Sequence, residues 1–357
     1  MSSNEKLHKA KKQKKDEFYT QYADIEREMN AYLDYNPDVF KDKVILLPCD
    51  DPEWSNFTKY FAQNFQRLGI KKLISTSFAA EKKNGIPYQP TLFELDSPKY
   101  NEKKTRSHGK IFIIEKDNNK DKKIDINDIE WDYLDGTGDF RSKEILKLRD
   151  EADIIITNPP FSLFGEFFDW IIDSNKKFAI ICNKTCITYK EVFPFIKENR
   201  LWSGREEWAG GMWFETVYED DIDKIINGKR YKNVPSIWIT NIEHGRRHQP
   251  IPLMTMNDNI KYSKHKEVKG HEYQKYDNYD AIEIPYTDAI PSDYPGVMGV
   301  PISFLDKYCP EQFEIVGWSR RNEYGMDGGC WKGGKSDATI NGKEVFRRIL
   351  IKRKEQK

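Results

Sequence analysis

The sequence lacks several features that would assign it to a special class of protein. It has 357 residues but no apolar run of about 18 residues, the length that favours a membrane-spanning helix. Its start, MSSNEKLHKAKKQKK, is basic and has no apolar stretch like that of a signal peptide. We therefore expect a cytoplasmic protein with no membrane partner.

Cysteine is also scarce, with five residues in the whole chain. That number does not frame a domain of this length with disulfide bonds. Cys182 and Cys186 lie four positions apart, but no second pair of ligands follows at the spacing of a zinc site. We expect buried thiols and no metal.

A net charge is absent as well, because Lys plus Arg and Asp plus Glu both total 58. This balance neither indicates nor excludes a nucleic-acid partner, so the positions of the basic residues matter. They gather in residues 6–15, in residues 347–354 and in the short Gly-Arg-Arg-His at 245–248. Both terminal clusters are equally typical of solvated tails.

Short apolar runs alternate with amphipathic or polar stretches over the first two thirds of the chain. A helix is expected from Ser55 or Asn56, which can cap it, to Leu68, before Gly69 ends it. A second helix is expected around residues 165–173. The apolar runs predict buried strands at 43–48, 71–78, 152–157, 177–182 and 234–240. This alternation predicts an α/β domain with a doubly wound, mostly parallel sheet.

The remaining segments define the expected domain organisation. Residues 1–15 form a basic tail, and residues 16–245 form the large α/β domain. Residues 81–128 are rich in Lys, Asn and Asp and are interpreted as an insertion, with an isolated strand at 110–115. Residues 246–357 have little periodicity and are expected to form a smaller irregular region.

The strongest chemical signal is Asn158-Pro159-Pro160-Phe161, directly after the apolar strand at 154–157. Ligands of open α/β sheets bind beyond the carboxyl ends of the strands, which is where this tetrapeptide falls. Two prolines fix the backbone and remove two donors, so the Asn side-chain oxygen and the Pro159 carbonyl become acceptors in a stiff frame. They could hold both hydrogens of an exocyclic amine, while Phe161 stacks on an extruded base. A simple proline turn after a strand is the structural alternative.

Asn-Pro-Pro-Phe at this place resembles the catalytic motif of the amino-group methyltransferases. The wider resemblance is to the EcoRI-type adenine-specific DNA methyltransferase family, over roughly residues 15–320. The motifs that carry this resemblance are Cys-Asp-Asp-Pro at 49–52, Ser-Asn-Phe at 55–57, Lys-Tyr-Phe at 59–61, Trp-Ile-Thr-Asn at 238–241 and Gly-Val-Pro-Ile-Ser-Phe-Leu-Asp-Lys-Tyr at 299–308. The resemblance implies a Rossmann-like class I methyltransferase fold, S-adenosylmethionine as cofactor and double-stranded DNA as partner. It also implies that the chain is a site-specific DNA adenine N6-methyltransferase that acts on a flipped adenine, as in restriction–modification or phage systems. A monomer or weak dimer is expected.

The resemblance also implies cofactor-binding residues. Tyr19 and Thr20 match the segment that lies against the cofactor's methionine end, and Cys49 and Asp50 match the exit of the first strand. Asp50 would pair with the cofactor's ammonium group. Asp139 would accept from its adenine amine, and Phe140 would pack on that ring. The chain departs from the wider class in having no Gly between Val44 and Leu68 and no acidic residue at the end of its second strand.

Sequence recognition is expected in the region after residue 185, within residues 246–357 above all. The candidates for phosphate contact are Lys184, Arg205, Arg246 and Arg247, beside His248. The residues leave two other functions open. One is methylation of adenine in RNA or of a protein glutamine, and the other is a cofactor-binding or nucleic-acid-binding module without catalysis.

Overall fold

The computed structural model describes residues 19–50, 55–79, 98–116, 124, 128–216, 222–320 and 326–354, with the backbone of 82–83 and 86–87. The basic tail at 1–15 and much of the expected insertion lie outside the described residues. The chain divides into two compact units. Unit 1 comprises residues 1–186 and 204–242, and unit 2 comprises residues 187–203 and 243–357.

The strands are numbered along the chain. They are β1 (Tyr19–Thr20), β2 (Val44–Leu47), β3 (Lys72–Ser77), β4 (Lys82–Lys83), β5 (Ile86–Pro87), β6 (Lys110–Ile114), β7 (Glu130–Tyr133), β8 (Ile154–Thr157), β9 (Lys177–Asn183), β10 (Trp202–Ser203), β11 (Met212–Glu215), β12 (Lys224–Ile226), β13 (Lys229–Val234), β14 (Ser236–Thr240), β15 (Ile282–Glu283), β16 (Met298–Val300), β17 (Phe313–Trp318), β18 (Thr339–Ile340), β19 (Lys343–Glu344) and β20 (Ile349–Arg353).

The helices are numbered in the same way. They are α1 (Tyr22–Tyr35), α2 (Asn56–Gln63), α3 (Phe65–Leu68), α4 (Glu102–Ser107), α5 (Lys143–Glu151), α6 (Phe164–Asp173), α7 (Phe193–Lys197) and α8 (Met256–Tyr262). Short 3-10 turns occupy Phe161–Leu163, Lys184–Thr188, Gly245–His248, Thr287–Ala289 and Ile302–Lys307. None of the helices in the described part of the chain is long and apolar enough to cross a membrane.

The main sheet of unit 1 is mixed. Its strands lie in the order β14-β9-β8-β2-β3-β6-β7. The central neighbours β9, β8, β2 and β3 are parallel, whereas β14 and β6 pair antiparallel with their neighbours. The carboxyl ends of the parallel strands therefore lie along one edge, and the fold is α/β with a parallel centre.

Local sequence explains the centre of this sheet. All four residues of β2 and of β8 are buried, as expected for apolar runs covered on both faces. Ser55 caps α2 by accepting a hydrogen bond from the Phe57 N–H at 3.0 Å. Gly69 ends α3 in the left-handed conformation, with a φ of +65°. The predicted strands and this helix are confirmed, with a break at Asn64 between α2 and α3.

The strand predicted at 110–115 is present, but the prediction that it is isolated is wrong. Here β6 pairs antiparallel with β3, with Ser77 opposite Lys110, and with β7 on its other side. It is thus part of the main sheet. The apolar run indicated a strand, but such a run carries no information about its partner. The short strands β4 and β5 also lie in the expected insertion, and they pair antiparallel with each other.

A smaller antiparallel sheet of unit 1 has the order β1-β11-β13-β12. Thr20 of β1 lies opposite Phe214 of β11. After Val234, the end of β13, the chain enters β14 within two residues, so this sheet begins beside the carboxyl edge of the main sheet. A single core includes residues of α1, α2, the main sheet and β11.

Unit 2 is more regular than its sequence indicates. It contains a four-stranded sheet in the order β15-β16-β20-β17 and a core cluster that includes Tyr279, Ala338 and Leu350. Short strands between Pro-rich and Gly-rich loops give little periodicity, which is why the pattern suggested an irregular region. Residues 187–203, assigned from sequence to the large domain, belong to this unit.

Candidate active site

The ends of two neighbouring parallel strands bring the main predicted residues together. In the register of β2 and β8, Leu46 lies opposite Ile155, so the residues that follow each strand emerge side by side. The hydroxyl of Thr157, the last residue of β8, donates to Oδ2 of Asp50 at 2.6 Å. Because Asn158 follows Thr157 directly, this bond couples the predicted catalytic tetrapeptide to the predicted cofactor carboxylate.

Asp50 is held on several sides. It is 5% exposed, and its Oδ1 accepts a hydrogen bond from the Ser55 hydroxyl at 2.7 Å. Its backbone N–H donates to the Thr76 carbonyl at 3.0 Å, and its own carbonyl accepts from the Ser75 hydroxyl. Both side-chain donors named here are neutral, so they orient the carboxylate without cancelling its charge. The arrangement suits a cationic ligand group.

Cys49 precedes this carboxylate and is half-buried. Burial raises the pKa of the Cys49 thiol, and the negative charge of Asp50 raises it further. The thiol therefore stays protonated at neutral pH. That state makes it a poor nucleophile and leaves it a neutral group lining the strand exit.

The tetrapeptide Asn158–Phe161 forms a tight exit from β8. Asn158 is half-buried and Pro159 is buried. The Pro160 carbonyl accepts from the Leu163 N–H at 3.0 Å and so opens the 3-10 turn at Phe161–Leu163. The Phe161 ring packs edge-on against Phe214 of β11, with centroids 6.4 Å apart and planes at 82°. The small sheet thus supports the aromatic end of the motif.

Thr20 reaches the same place from β1. Its carbonyl accepts from Nδ2 of Asn56, the first residue of α2, at 2.7 Å. Its hydroxyl oxygen is buried and has no hydrogen-bond partner within the described part of the chain. A buried hydroxyl of this kind is suited to a ligand group. Tyr19 pairs with Glu215 and is half-buried.

A glycine contact positions Asp139 at the end of β3. Gly138 has a φ of +78°, and a Cβ built on it would lie 2.2 Å from the Ser77 carbonyl oxygen. The Ala79 N–H also donates to the Thr137 carbonyl at 2.7 Å. Only glycine permits this approach, so the segment before Asp139 is docked on the strand end. Sequence reasoning overlooked this role, whose one signal was a glycine before an acidic residue.

The Asp139 carboxylate is bound by a cation. Arg141 donates from Nε to Oδ1 at 2.9 Å and from Nη2 to Oδ2 at 2.6 Å. These bonds lower the pKa of Asp139. Arg141 also reaches Glu166 at 2.6 Å, although half of its side chain is exposed. A ligand amine would therefore have to share or replace the guanidinium.

Phe140 belongs to the core in this arrangement. It is 5% exposed, and its ring lies edge-on to Phe167 and Trp170 of α6, at 5.2 and 5.9 Å. Little of the ring is available to a ligand. Phe78, which directly follows β3, is instead 61% exposed and was overlooked in the sequence.

Two of the four predicted phosphate contacts lie in unit 1. Lys184 is half-buried and its ammonium donates to the Trp208 carbonyl. Arg205 is exposed, and its backbone N–H is fixed by bonds of 2.9 Å to both carboxylate oxygens of Glu28. Glu28 is fully buried, and burial raises its pKa although Tyr32 and these N–H groups oppose the shift.

The other two basic residues are in unit 2 and are engaged within it. Arg246 forms an ion pair with Asp306 at 2.9 Å, with 19% of its side chain exposed. Arg247 is 4% exposed, pairs with Glu243 at 3.1 Å and lies 3.6 Å over the Trp202 ring. A guanidinium buried in this way supports the fold of unit 2 and does not offer a charge at the surface.

These features define a class of protein. An Asn-Pro-Pro-Phe frame at the carboxyl end of a parallel strand, beside a buried carboxylate at the end of the next strand, is the site expected of an amino-group methyltransferase. The family comparison specifies that class. The family described as "Adenine-specific methyltransferase EcoRI" matches residues 6–354, and the chain belongs to it.

Curated relatives cover nearly the whole chain. The type II methyltransferase M.EcoRI of Escherichia coli is 42% identical over 361 residues, which is 99% of this chain and 98% of the relative. M.MpnI of Mycoplasma pneumoniae is 31% identical over 87% of this chain and 84% of its own length. M.MgeORF184P of Mycoplasma genitalium is 31% identical over 98% of this chain and 99% of its own length. No solved structure matches the chain.

Proposed function

We propose that the chain is a site-specific DNA adenine N6-methyltransferase that uses S-adenosylmethionine and acts on an adenine flipped out of the duplex. Membership of an adenine-specific family supports the acceptor base. The observation that carries the site is the 2.6 Å bond from Thr157 to Asp50, which joins the strand end bearing Asn158 to the carboxylate assigned to the cofactor. The parallel centre of the main sheet is consistent with a Rossmann-like, doubly wound domain.

The residues at the strand ends fit this cofactor. Bound there, the sulfonium group supplies an electrophilic methyl group. Asp50 would pair with the amino-acid ammonium, and the buried Thr20 hydroxyl would bond the same moiety. Asp139 would accept from the adenine amine once it exchanges Arg141. Phe78 offers at that corner the exposed ring surface that Phe140 lacks.

Asn158 and Pro159 would act on the acceptor. Their two oxygens accept the two hydrogens of the target amine, which fixes the nitrogen and raises its electron density. The nitrogen lone pair then points at the methyl carbon instead of spreading into the ring. Positioning of this kind supplies much of the rate in a direct transfer. Phe161, supported by Phe214, would stack on the flipped base.

DNA contact is expected to depend most on residues whose charge reaches the surface. Arg205, with 47% of its side chain exposed, satisfies this condition. Lys184 sits at the carboxyl edge beside the motif and can contact a phosphate with its remaining donors. Arg246 and Arg247 would contribute through the fold of unit 2, because both are ion-paired with only 19% and 4% of their side chains exposed.

Product identification tests the proposal. Purified protein is incubated with labelled S-adenosylmethionine and methyl-free genomic DNA, with total RNA as the parallel acceptor, and the product is digested to nucleosides. We expect the label in N6-methyladenine from DNA at a few defined sites. Label only in RNA would leave the fold unchanged and would identify RNA as the substrate. Transfer to neither acceptor, with the cofactor bound, would contradict the proposed enzymatic activity.

A further inference from the structure

The hairpin β12–β13 has a well-defined tip. Its strands are joined by Asn227 and Gly228, whose φ values are +50° and +77°. Positive φ at both central residues is the signature of the tight two-residue turn that Asn-Gly favours. In the small sheet, β12 is an edge strand that pairs only with β13 among the described strands.

The tip exposes two large apolar side chains. Ile225 is 60% exposed and Ile226 is 45% exposed. They lie opposite Arg230 and Lys229, respectively. Since successive residues of a strand face opposite sides, each face of the tip carries an isoleucine with a cation across from it. Exposed isoleucines on an edge strand invite aggregation, and neither of these belongs to the hydrophobic core cluster of unit 1.

The hairpin begins at the edge of the main sheet that holds the candidate site. Ser236, at the start of β14, lies opposite Asn183, the last residue of β9, and Lys184 donates its N–H to the Pro235 carbonyl at 2.8 Å. The residues before Pro235 therefore lie beyond the carboxyl edge. Six residues of β13 span about 20 Å. The hairpin thus extends from the edge of the main sheet that holds the candidate site.

The charge of the hairpin matches a polyanion. Residues 222–234 contain four cations, Lys224, Lys229, Arg230 and Lys232, against the single anion Asp223. The acidic residues 219–221 precede it in sequence and lie outside the described residues. Lys229 pairs with Glu215 at 2.8 Å with 59% of its side chain exposed, a contact that a phosphate can replace.

We propose that this tip enters the DNA duplex beside the target adenine. Ile225 and Ile226 insert between bases as an apolar wedge, and Lys229 and Arg230 contact the flanking phosphates. Isoleucine is among the side chains that proteins use to unstack base steps, and a two-stranded ribbon fits the major groove, which is about 12 Å wide. The inference rests on the proposed DNA substrate and adds how the base is released.

The test compares Ile225→Ala/Ile226→Ala with the wild type on a short duplex that contains one site mapped on genomic DNA. Tyr35→Ala is the matched control, because Tyr35 is also a large side chain and is 49% exposed. It lies outside the hairpin, at the end of α1 that leads into β2. Base release is followed with 2-aminopurine in place of the target adenine, beside kcat/KM and the oligomeric state. A second duplex places the target opposite an abasic position, which lowers the cost of unstacking.

We expect the double variant to lose about tenfold or more in kcat/KM and most of the fluorescence rise on the paired duplex, and to recover on the abasic duplex. The Tm of the double variant should equal that of the wild type. Tyr35→Ala should match the wild type in kcat/KM, in the fluorescence rise and in Tm. An equal loss on both duplexes would show binding without a wedge and overturn the proposal. So would unaltered kinetics, or a wild-type dimer that the substitutions dissociate. Each of these leaves DNA methylation by the wild type intact, so the two proposals fail separately.

Discussion

Two carboxylates at the same edge of unit 1 are held in opposite ways. Asp50 is 5% exposed and is oriented by the neutral hydroxyls of Ser55 and Thr157. Asp139 has 27% of its side chain exposed and is already paired with Arg141. The sequence resemblance predicts that both bind the cofactor, but their surroundings differ in burial and in the charge of the partners named here.

The difference indicates two kinds of binding contact. A buried carboxylate fixed by neutral donors is ready for a cation and loses little on binding, since its geometry is set before the ligand arrives. A half-buried carboxylate that is already ion-paired must exchange its partner, and the gain in binding is reduced by what that exchange removes. We therefore expect Asp50 to set the affinity for the cofactor and Asp139 to adjust it.

Asn158→Ala should have the largest effect. It tests whether a residue at this edge can act on methyl transfer without acting on cofactor binding. Loss of one acceptor in the transition state should lower kcat by about 100-fold to 1,000-fold. The cofactor Kd should stay within the error of calorimetry, because both carboxylates remain. Asn158→Asp, which keeps the side-chain oxygen, should retain more activity than the alanine variant. A weakened Kd with unchanged kcat would place Asn158 on the cofactor instead.

Gly138→Ala should disturb the segment that holds Asp139, the second carboxylate of the comparison. The added Cβ would lie 2.2 Å from the Ser77 carbonyl oxygen in a left-handed backbone, so the Asp139 segment must move or unit 1 loses stability. We expect a cost of about 2–4 kcal/mol, measured as a lower free energy of unfolding or a weaker cofactor Kd.

Gly136→Ala is the matched control for this substitution. A Cβ at Gly136 meets no atom within 4 Å, so this variant should resemble the wild type. Equal behaviour of the two variants would contradict the docking of the segment on β3.

Asp50→Asn and Asp139→Asn make the same chemical change on the two sides. The first should weaken the cofactor Kd by about 10-fold to 100-fold, the range expected when a hydrogen bond to a charged group is lost. The second should weaken it by less than about fivefold, because Asp139 is only half-buried and must exchange its ion pair with Arg141 to bind. Isothermal titration at one pH compares them directly. A larger loss at Asp139 would reverse the proposed assignment of affinity.

Arg141→Gln should have the smallest effect and an opposite sign. Removing the competing guanidinium should tighten the cofactor Kd by up to about fivefold. The same substitution should raise the pKa of Asp139, which Arg141 lowers in the wild type. The stabilisation from this pair is present above the ordinary Asp pKa and is lost as the pH falls through the lowered one.

The variant should therefore lose cofactor binding at a higher pH on acidification than the wild type does. A carboxyl-carbon NMR titration of Asp139 measures the shift. Weaker cofactor binding in the variant at neutral pH would mean that Arg141 itself contacts the cofactor.

Sequence reasoning was most effective where one local pattern determines one structure. The apolar runs of β2 and β8, the Ser55 cap and the Gly69 stop all behave as predicted, because each depends on residues next to it. The position of Asn158 after a buried strand has the same origin. Parallel pairing then brings it next to Asp50.

The remaining features depend on contacts between distant residues. The partner of β6, the ion pairs of Arg247 and the approach of Gly138 to Ser77 are set by tertiary packing, which no local pattern records. The burial of Phe140 against α6 is a further case. Charge alone could not separate Arg205, which is exposed, from Arg247, which is enclosed.

The most direct test measures cofactor binding and a single turnover in the same preparations of wild type, Asn158→Ala and Asp50→Asn. S-adenosylmethionine is kept saturating for each protein, and N6-methyladenine in DNA is quantified against time. We expect a separation: Asn158→Ala binds the cofactor normally but transfers the methyl group slowly, whereas Asp50→Asn binds the cofactor weakly but transfers at nearly the wild-type rate once saturated. Parallel loss of binding and transfer in both folded variants would contradict the division of roles between the two strand ends.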